Sequence, residues 1–263
     1  VVFRQDGKVY GNVYNGTAWG TPVEFADVDG AVAAAGEGTG LAVVAYRASE
    51  TLVQGRVYSA ATGQWSEPAR LHAVEPPRKF DNTSGRFWIR AAMSDAGDAV
   101  VVYRGKHNTQ TTFSIYTATY SAASGEWSHA DELGFEALTG RPCLAMNAQG
   151  AAVVSLREQY TVSSNSFARL RASYRDSATG SWKTWITRDG VPSFGSCTIS
   201  ADGSAIVTGS TSEAVLAYRY ADGQWGEGEH IDSQYLRGRF MPSLKDDGRA
   251  AGAYFWDNAE LRF

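Results

Sequence analysis

Arginine recurs at one place in this sequence. Arg47, Arg104 and Arg157 each close an apolar run, in Gly40-Leu-Ala-Val-Val-Ala-Tyr-Arg47, Gly97-Asp-Ala-Val-Val-Val-Tyr-Arg104 and Gly150-Ala-Ala-Val-Val-Ser-Leu-Arg157. A guanidinium offers a planar fork of N–H donors suited to vicinal sugar hydroxyls or to a carboxylate. The neighbouring Tyr46 and Tyr103, with Trp256, supply rings that would stack on a pyranose. A second reading stays open beside this one: each arginine lies over the next repeat and satisfies loop carbonyls, because repeats preserve framework residues as readily as sites.

Tryptophan is the other repeated side chain. Trp19, Trp65, Trp127, Trp182 and Trp225 each follow a glycine by two or three residues. Paired with Tyr58, Tyr120, Tyr174 or Tyr220 across a hairpin, such a ring would form a sugar-stacking pocket, and cross-strand aromatic packing explains it equally well. Trp88, Trp185 and Trp256 fall outside this column, so the framework does not require them and they are the better candidates for ligand contact.

Motifs for catalysis are sparse. His72, His107, His129 and His230 show no His-x-x-x-His spacing, and no Gly-x-Ser-x-Gly elbow occurs. The Asp-Gly pairs at Asp6, Asp29, Asp189, Asp202, Asp222 and Asp247 are turn chemistry first. No catalytic residue, metal site or cofactor is assigned. His107 beside Arg104 is the least poor catalytic pair.

The elements that must position these residues follow from the repeat. Gly40, Gly97, Gly150, Gly203 and Gly248 open apolar runs at a period of roughly 45–57 residues, the scale of one propeller blade. Met93, Met146, Ile199 and Leu244 mark a short strand before each turn, here called a. The glycine-led apolar run, b, is apolar enough to be buried on both faces. An alternating strand c follows, as in Leu52 to Tyr58, Phe113 to Tyr120, Leu170 to Tyr174 and Val215 to Tyr220, and the Gly-x-Trp turn starts strand d. Helical periodicity is missing throughout. Four-stranded antiparallel units of this kind suit radial packing, so the expectation is an all-β propeller spanning residues 1–263 as one domain. Strand order gives b-c-d at the start, four complete units, then a-b-c. Six blades with incomplete terminal blades are preferred, and five is the runner-up. The b-c and d-a connections share one face of the disc, where the arginines and the long segment His72 to Phe80 would gather.

The pattern apolar-Asn/Asp-x-Gly, apolar run, Tyr, then Gly-x-Trp-Ser resembles bacterial secreted propellers with tryptophan-containing repeats, including sialidase-like lectin propellers. The start inside a blade at Val1-Val-Phe-Arg-Gln-Asp-Gly-Lys-Val-Tyr10 is similar to tachylectin-type propellers. Ser59-Ala-Ala-Thr-Gly-Gln-Trp65 lacks the aspartate and spacing of a sialidase Asp-box, so sialidase chemistry does not carry over. The resemblance implies sugar binding at several blades. Polysaccharide lyases on propellers use Tyr, His and Arg, all present here.

Composition bounds the rest. The chain has 263 residues, a formal net charge of −4 and 12% aromatics, so no basic field points to nucleic acid. No apolar run is long enough to cross a bilayer, and the first residues do not form a signal peptide. Its two cysteines, Cys143 and Cys197, begin strand a in adjacent blades, where a disulfide is geometrically allowed; two buried thiols are the alternative. The expected function is a secreted, periplasmic or cell-surface binding propeller, lectin-like and multivalent, with glycans or a surface protein as partner. A lyase or hydrolase with one axial site and a protein-interaction scaffold are the alternatives. Oligomeric state is left open.

Overall fold

The computed structural model describes residues 1–26, 32–36, 38–49, 52–71, 88–105, 114–128, 131–133, 142–183, 185–191, 193–232, 240–244, 249–255 and 261–262. Among them there is no helix, and the strands fall into six antiparallel sheets. The first holds β1 (Val2–Gln5), β2 (Lys8–Gly11) and β3 (Val23–Ala26). The second holds β4 (Val32–Gly36), β5 (Leu41–Ser49), β6 (Leu52–Ser59), β7 (Gln64–Trp65) and β8 (Ala69–Arg70). The third holds β9 (Ile89–Met93), β10 (Ala99–Gly105), β11 (Ser114–Ser121), β12 (Glu126–Trp127) and β13 (Asp131–Glu132). In the fourth are β14 (Cys143–Met146), β15 (Ala152–Val162), β16 (Asn165–Arg175) and β17 (Ile186–Asp189). The fifth comprises β18 (Ser193–Ile199), β19 (Ala205–Ser210), β20 (Val215–Ala221) and β21 (Gln224–Asp232), and the sixth β22 (Phe240–Leu244), β23 (Ala250–Phe255) and β24 (Leu261–Arg262).

The order within each sheet is the a-b-c-d meander, with the first sheet supplying b-c-d and the last a-b-c. Two compact units divide the chain, Val1–Phe135 with the first three sheets and Glu136–Phe263 with the others.

Turn chemistry explains why the meander repeats. Between strands a and b, the amides of Gly97, Gly150 and Gly203 donate to the carbonyls of Ser94, Asn147 and Ser200 at 3.0, 3.1 and 3.1 Å. Those glycines sit at φ of 91°, 89° and 86°, where a Cβ would be strained. At the c-d turn, Gly63, Gly125 and Gly180 close a wider loop onto the carbonyls of Ser59, Ser121 and Asp176 at 2.8, 2.8 and 2.9 Å.

Strand d is interrupted in the second and third sheets just after the tryptophan, where a serine stands. The Ser66 and Ser128 hydroxyls accept from the Val57 and Thr119 amides at 3.0 and 2.9 Å, so a side chain takes a place in the ladder. Strand pairing then resumes at β8 and β13.

In the first unit, one core lies between the second and third sheets, built on Ala45, Val53, Leu71, Val101, Tyr103 and Tyr116. Another joins Val9 and Phe25 of the first sheet to Val44 and Tyr46 of the second. In the second unit, Val153, Leu170 and Tyr174 of the fourth sheet pack on Val207, Tyr218 and Tyr220 of the fifth. Cys143 and Cys197 are joined by a disulfide with Cα atoms 5.8 Å apart, linking the first strands of those two sheets. Asn147 reinforces the same junction: its Nδ2 donates to the Ser200 carbonyl at 2.9 Å while its Oδ1 accepts from the Ala151 amide at 2.9 Å.

The fourth sheet departs from the sequence expectation. Strand c begins at Asn165, not Leu170, and strand b runs on past Arg157 to Val162. Ser163 and Ser164, at φ 47° and 72°, form the two-residue turn that lets this hairpin extend. Trp182 lies opposite Arg175, not Tyr174. Arg175 takes the ladder place that Tyr58, Tyr120 and Tyr220 hold opposite Trp65, Trp127 and Trp225.

Candidate functional site

The arginine column occupies one ladder position: Arg47, Arg104 and Arg157 pair with Val53, Ile115 and Leu170. Successive residues on a strand point to opposite faces, so Arg47 and Arg104 face away from the tyrosines that precede them. Tyr46 and Tyr103 are fully buried, and their rings stack on Phe25 and Tyr116 at 5.7 Å in each case. Arg47 is itself 6% exposed. Arg104 and Arg157 are half-buried. The Arg104 guanidinium lies 5.2 Å from the Trp88 ring centre, which brings two of the sequence-derived residues together. Trp185 is half-buried just ahead of β17. Trp256, His107 and the segment His72 to Phe80 lie outside the described residues.

At the opposite end of the strands, the Gly-x-Trp turns border clefts between neighbouring sheets of the first unit. The first cleft, about 500 Å³, is lined by Arg56, Tyr58, Gln64 and Trp65 of the second sheet and by Asn12 and Asn15 of the first. The second, about 530 Å³, is lined by Tyr120, Glu126 and Trp127 of the third sheet and by Ser66, Glu67 and Arg70 of the second. Ladder register makes them copies, since Tyr58 opposite Trp65 and Ser59 opposite Gln64 match Tyr120 opposite Trp127 and Ser121 opposite Glu126. Each tryptophan is tilted on its tyrosine with ring centres 5.3 Å apart.

Each indole is seated against the preceding sheet. Trp65 meets Phe25 of the first sheet edge-on at 4.9 Å. Trp127 sits over Gly55 of the second sheet, where a Cβ would come within 2.8 Å of the ring. In the first cleft the Arg56 guanidinium lies 5.3 Å from the Phe25 ring centre. Burial pushes the Tyr46 phenol up, and the neighbouring Arg56 guanidinium pulls the other way.

Sequence reasoning missed a cluster on the long hairpin of β15 and β16. The pleat sets Glu158, Tyr160, Arg169, Arg171, Thr187 and Asp189 on one face. Arg169 Nε donates to Glu158 Oε2 at 2.7 Å, and Arg171 Nε lies 3.5 Å from the same oxygen. Tyr160 donates to Asp189 Oδ1 at 3.3 Å, with the Arg169 guanidinium 4.4 Å from its ring centre. The hydrogen bond to Glu158 holds Arg169 above the ordinary arginine value, burial lowers Arg171, and burial followed by Asp189 raises the Tyr160 phenol. These charges satisfy one another across three strands, which makes the cluster a clamp on the hairpin. The signal for it was the charged and polar content of Glu158 to Thr161 and Asn165 to Arg171, obscured by a Ser-Ser turn.

No family model matches the sequence, and no curated protein matches it. Among solved structures, an ulvan lyase of polysaccharide lyase family 25 aligns over 98% of this chain and 77% of its own, with a TM-score of 0.53 and 14% identity. The Dos1 propeller aligns over 83% of this chain and 53% of its own, with a TM-score of 0.51 and 14% identity. The Aleuria aurantia lectin aligns over 97% of this chain and 83% of its own, with a TM-score of 0.48 and 14% identity. The chain spans about half the length of the Dos1 propeller and of the polysaccharide lyase Uly1. Six antiparallel sheets in a repeated meander, together with the first two likenesses, define an all-β protein of the propeller type.

Proposed function

We propose that this protein is a glycan-binding propeller whose sites are shallow clefts repeated between neighbouring sheets, working outside the cytoplasm in a secreted, periplasmic or cell-surface setting. The observation that carries this reading is the recurrence of one cleft geometry, about 500 and about 530 Å³, each pairing an indole edge with hydroxyl, amide or charged groups. Aromatic rings give sugars a stacking surface and the polar groups give direction. Weak contacts at several such sites add through multivalency.

The clefts lie at the c-d end of the strands. Arg104 with Trp88, at the b-c end, is the best-placed pair for a separate contact there. Carbohydrate is also the ligand class of two neighbours, an ulvan lyase solved with -[GlcA(1-4)Rha3S]- and the Aleuria lectin solved with fucosides.

A glycan array followed by incubation with the polysaccharides that score tests the proposal. Binding without new product supports the lectin reading, and Trp65→Ala should then reduce binding while the fold survives. Release of unsaturated oligosaccharides would replace it with a lyase. Binding unchanged in Trp65→Ala would remove the clefts from the argument.

A further inference from the structure

The two clefts share a frame and differ in charge. Among the described residues, the first cleft is lined by one charged side chain, Arg56, and by no carboxylate. The second is lined by Arg70 together with Glu67 and Glu126. The ladder makes the contrast at Arg56 sharper. Arg56 pairs with Val44, two residues before the tyrosine that faces the tryptophan. At that position the third sheet carries Ala118 and the fifth Tyr218, while the fourth carries Ser173 two residues before Arg175. Those three residues are buried and uncharged.

Nothing in the repeat therefore calls for a cation there, and a half-buried charge costs desolvation that a partner must offset. The Phe25 face contributes part of that. Arg56 Nε has no hydrogen-bond partner among the described residues. A guanidinium in this state, beside the Trp65 and Tyr58 rings and the Asn12 and Asn15 amides, is complementary to a sugar that carries an anionic group.

We infer that the cleft between the first and second sheets selects an acidic saccharide, with Arg56 binding its carboxylate or sulfate while Trp65 stacks on the ring; this rests on the glycan-binding reading above. The second cleft, with two carboxylates on its wall, disfavours the same ligand by like-charge repulsion.

The test uses the whole chain and three probes: tetragalacturonate, its fully methyl-esterified and uncharged form, and a galactan tetrasaccharide bearing sulfate in place of carboxylate. Binding is followed by titration calorimetry and by the Trp65 indole N–H resonance. At least one acidic probe should bind and move that resonance, with affinity falling as salt rises, and the methyl ester should not. Arg56→Gln should lower acidic binding about tenfold or more, the scale of one charge-assisted bidentate contact. Gln64→Glu places in this cleft the side chain that the second cleft already carries, as Glu126, so it is compatible with the fold and should weaken the same probe.

Equal binding of the methyl ester, or acidic binding untouched by both variants, overturns the inference and leaves the glycan cleft standing. Failure of both acidic probes to bind overturns it as well. A silent glycan array in addition removes the glycan-binding reading with it.

Discussion

Replacing Gly55 with alanine isolates the packing that seats a tryptophan between sheets. Gly55 lies in β6 without a positive φ, so the backbone itself accepts alanine. Its added Cβ would stand 2.8 Å from Trp127 Cζ2 and 3.0 Å from Leu71 Cδ2. Ordinary contact begins near 3.4 Å, so the indole must retreat by about 0.6 Å against a close-packed core. Leu71 is fully buried and yields little.

Overpacking of this kind costs about 1–3 kcal/mol, and the lower entropy of the unfolded chain returns about 0.4–1 kcal/mol. A net loss of about 1–2 kcal/mol is expected in urea unfolding, with the midpoint lowered and the slope unchanged. Trp127→Phe trims the colliding ring, so in that background Gly55→Ala should be nearly neutral, with a coupling of about 1 kcal/mol or more. A Gly55→Ala protein as stable as the parent would refute the reasoning. So would strict additivity with Trp127→Phe.

Two further outcomes follow from the second unit. The disulfide closes a loop with a sequence separation of 54, worth about 4 kcal/mol on the chain-entropy model; unfolding of the Cys143→Ser/Cys197→Ser protein should show a loss of that order, and an unchanged midpoint would sink the estimate. Burial, then the neighbouring Tyr220 and acidic side chains, push Tyr174 up to about 12, against about 10 when unfolded. A raised pKa contributes stability that is fully present below about pH 10 and is lost as pH climbs toward about 12. Tyr174→Phe should therefore flatten the alkaline decline in the urea midpoint, and an identical decline in the variant would contradict the assignment.

The strand order was readable in the sequence because its punctuation is chemical. Gly97, Gly150 and Gly203 must adopt positive φ, so they stand in the sequence as glycines, and the Gly-x-Trp turn is marked the same way. The long fourth hairpin was not readable, since Ser163 and Ser164 reach left-handed backbone without an Asn-Gly signature, and the repeat alone ends the strand at Arg157. The candidate site was less legible still. Arg47, Tyr46 and Tyr103 have the residue types of a sugar site, yet whether a side chain lies in a core depends on what the adjacent sheet places against it. Tyr46 meets Phe25 of the first sheet, and Tyr103 shares a core with Ala45, Val53 and Leu71 of the second. Arg56 does not stand out in the sequence because no neighbouring repeat shares it.

Repeated positions are of two kinds. The tryptophan cannot vary freely, for its ring fills space left by Gly55 or bears on Phe25. The residue before it can, since Gln64, Glu126, Ser181 and Gln224 are all exposed at the turn. A change there alters the charge of a cleft wall without touching the core, so its effect on stability should be small, within about 0.5 kcal/mol. Gln64→Glu is the decisive case: unfolding like the parent while losing the acidic probe would separate recognition from folding at a single side chain. A large loss of stability would mean that the turn residue belongs to the frame and that the charge difference between the clefts is a by-product of packing.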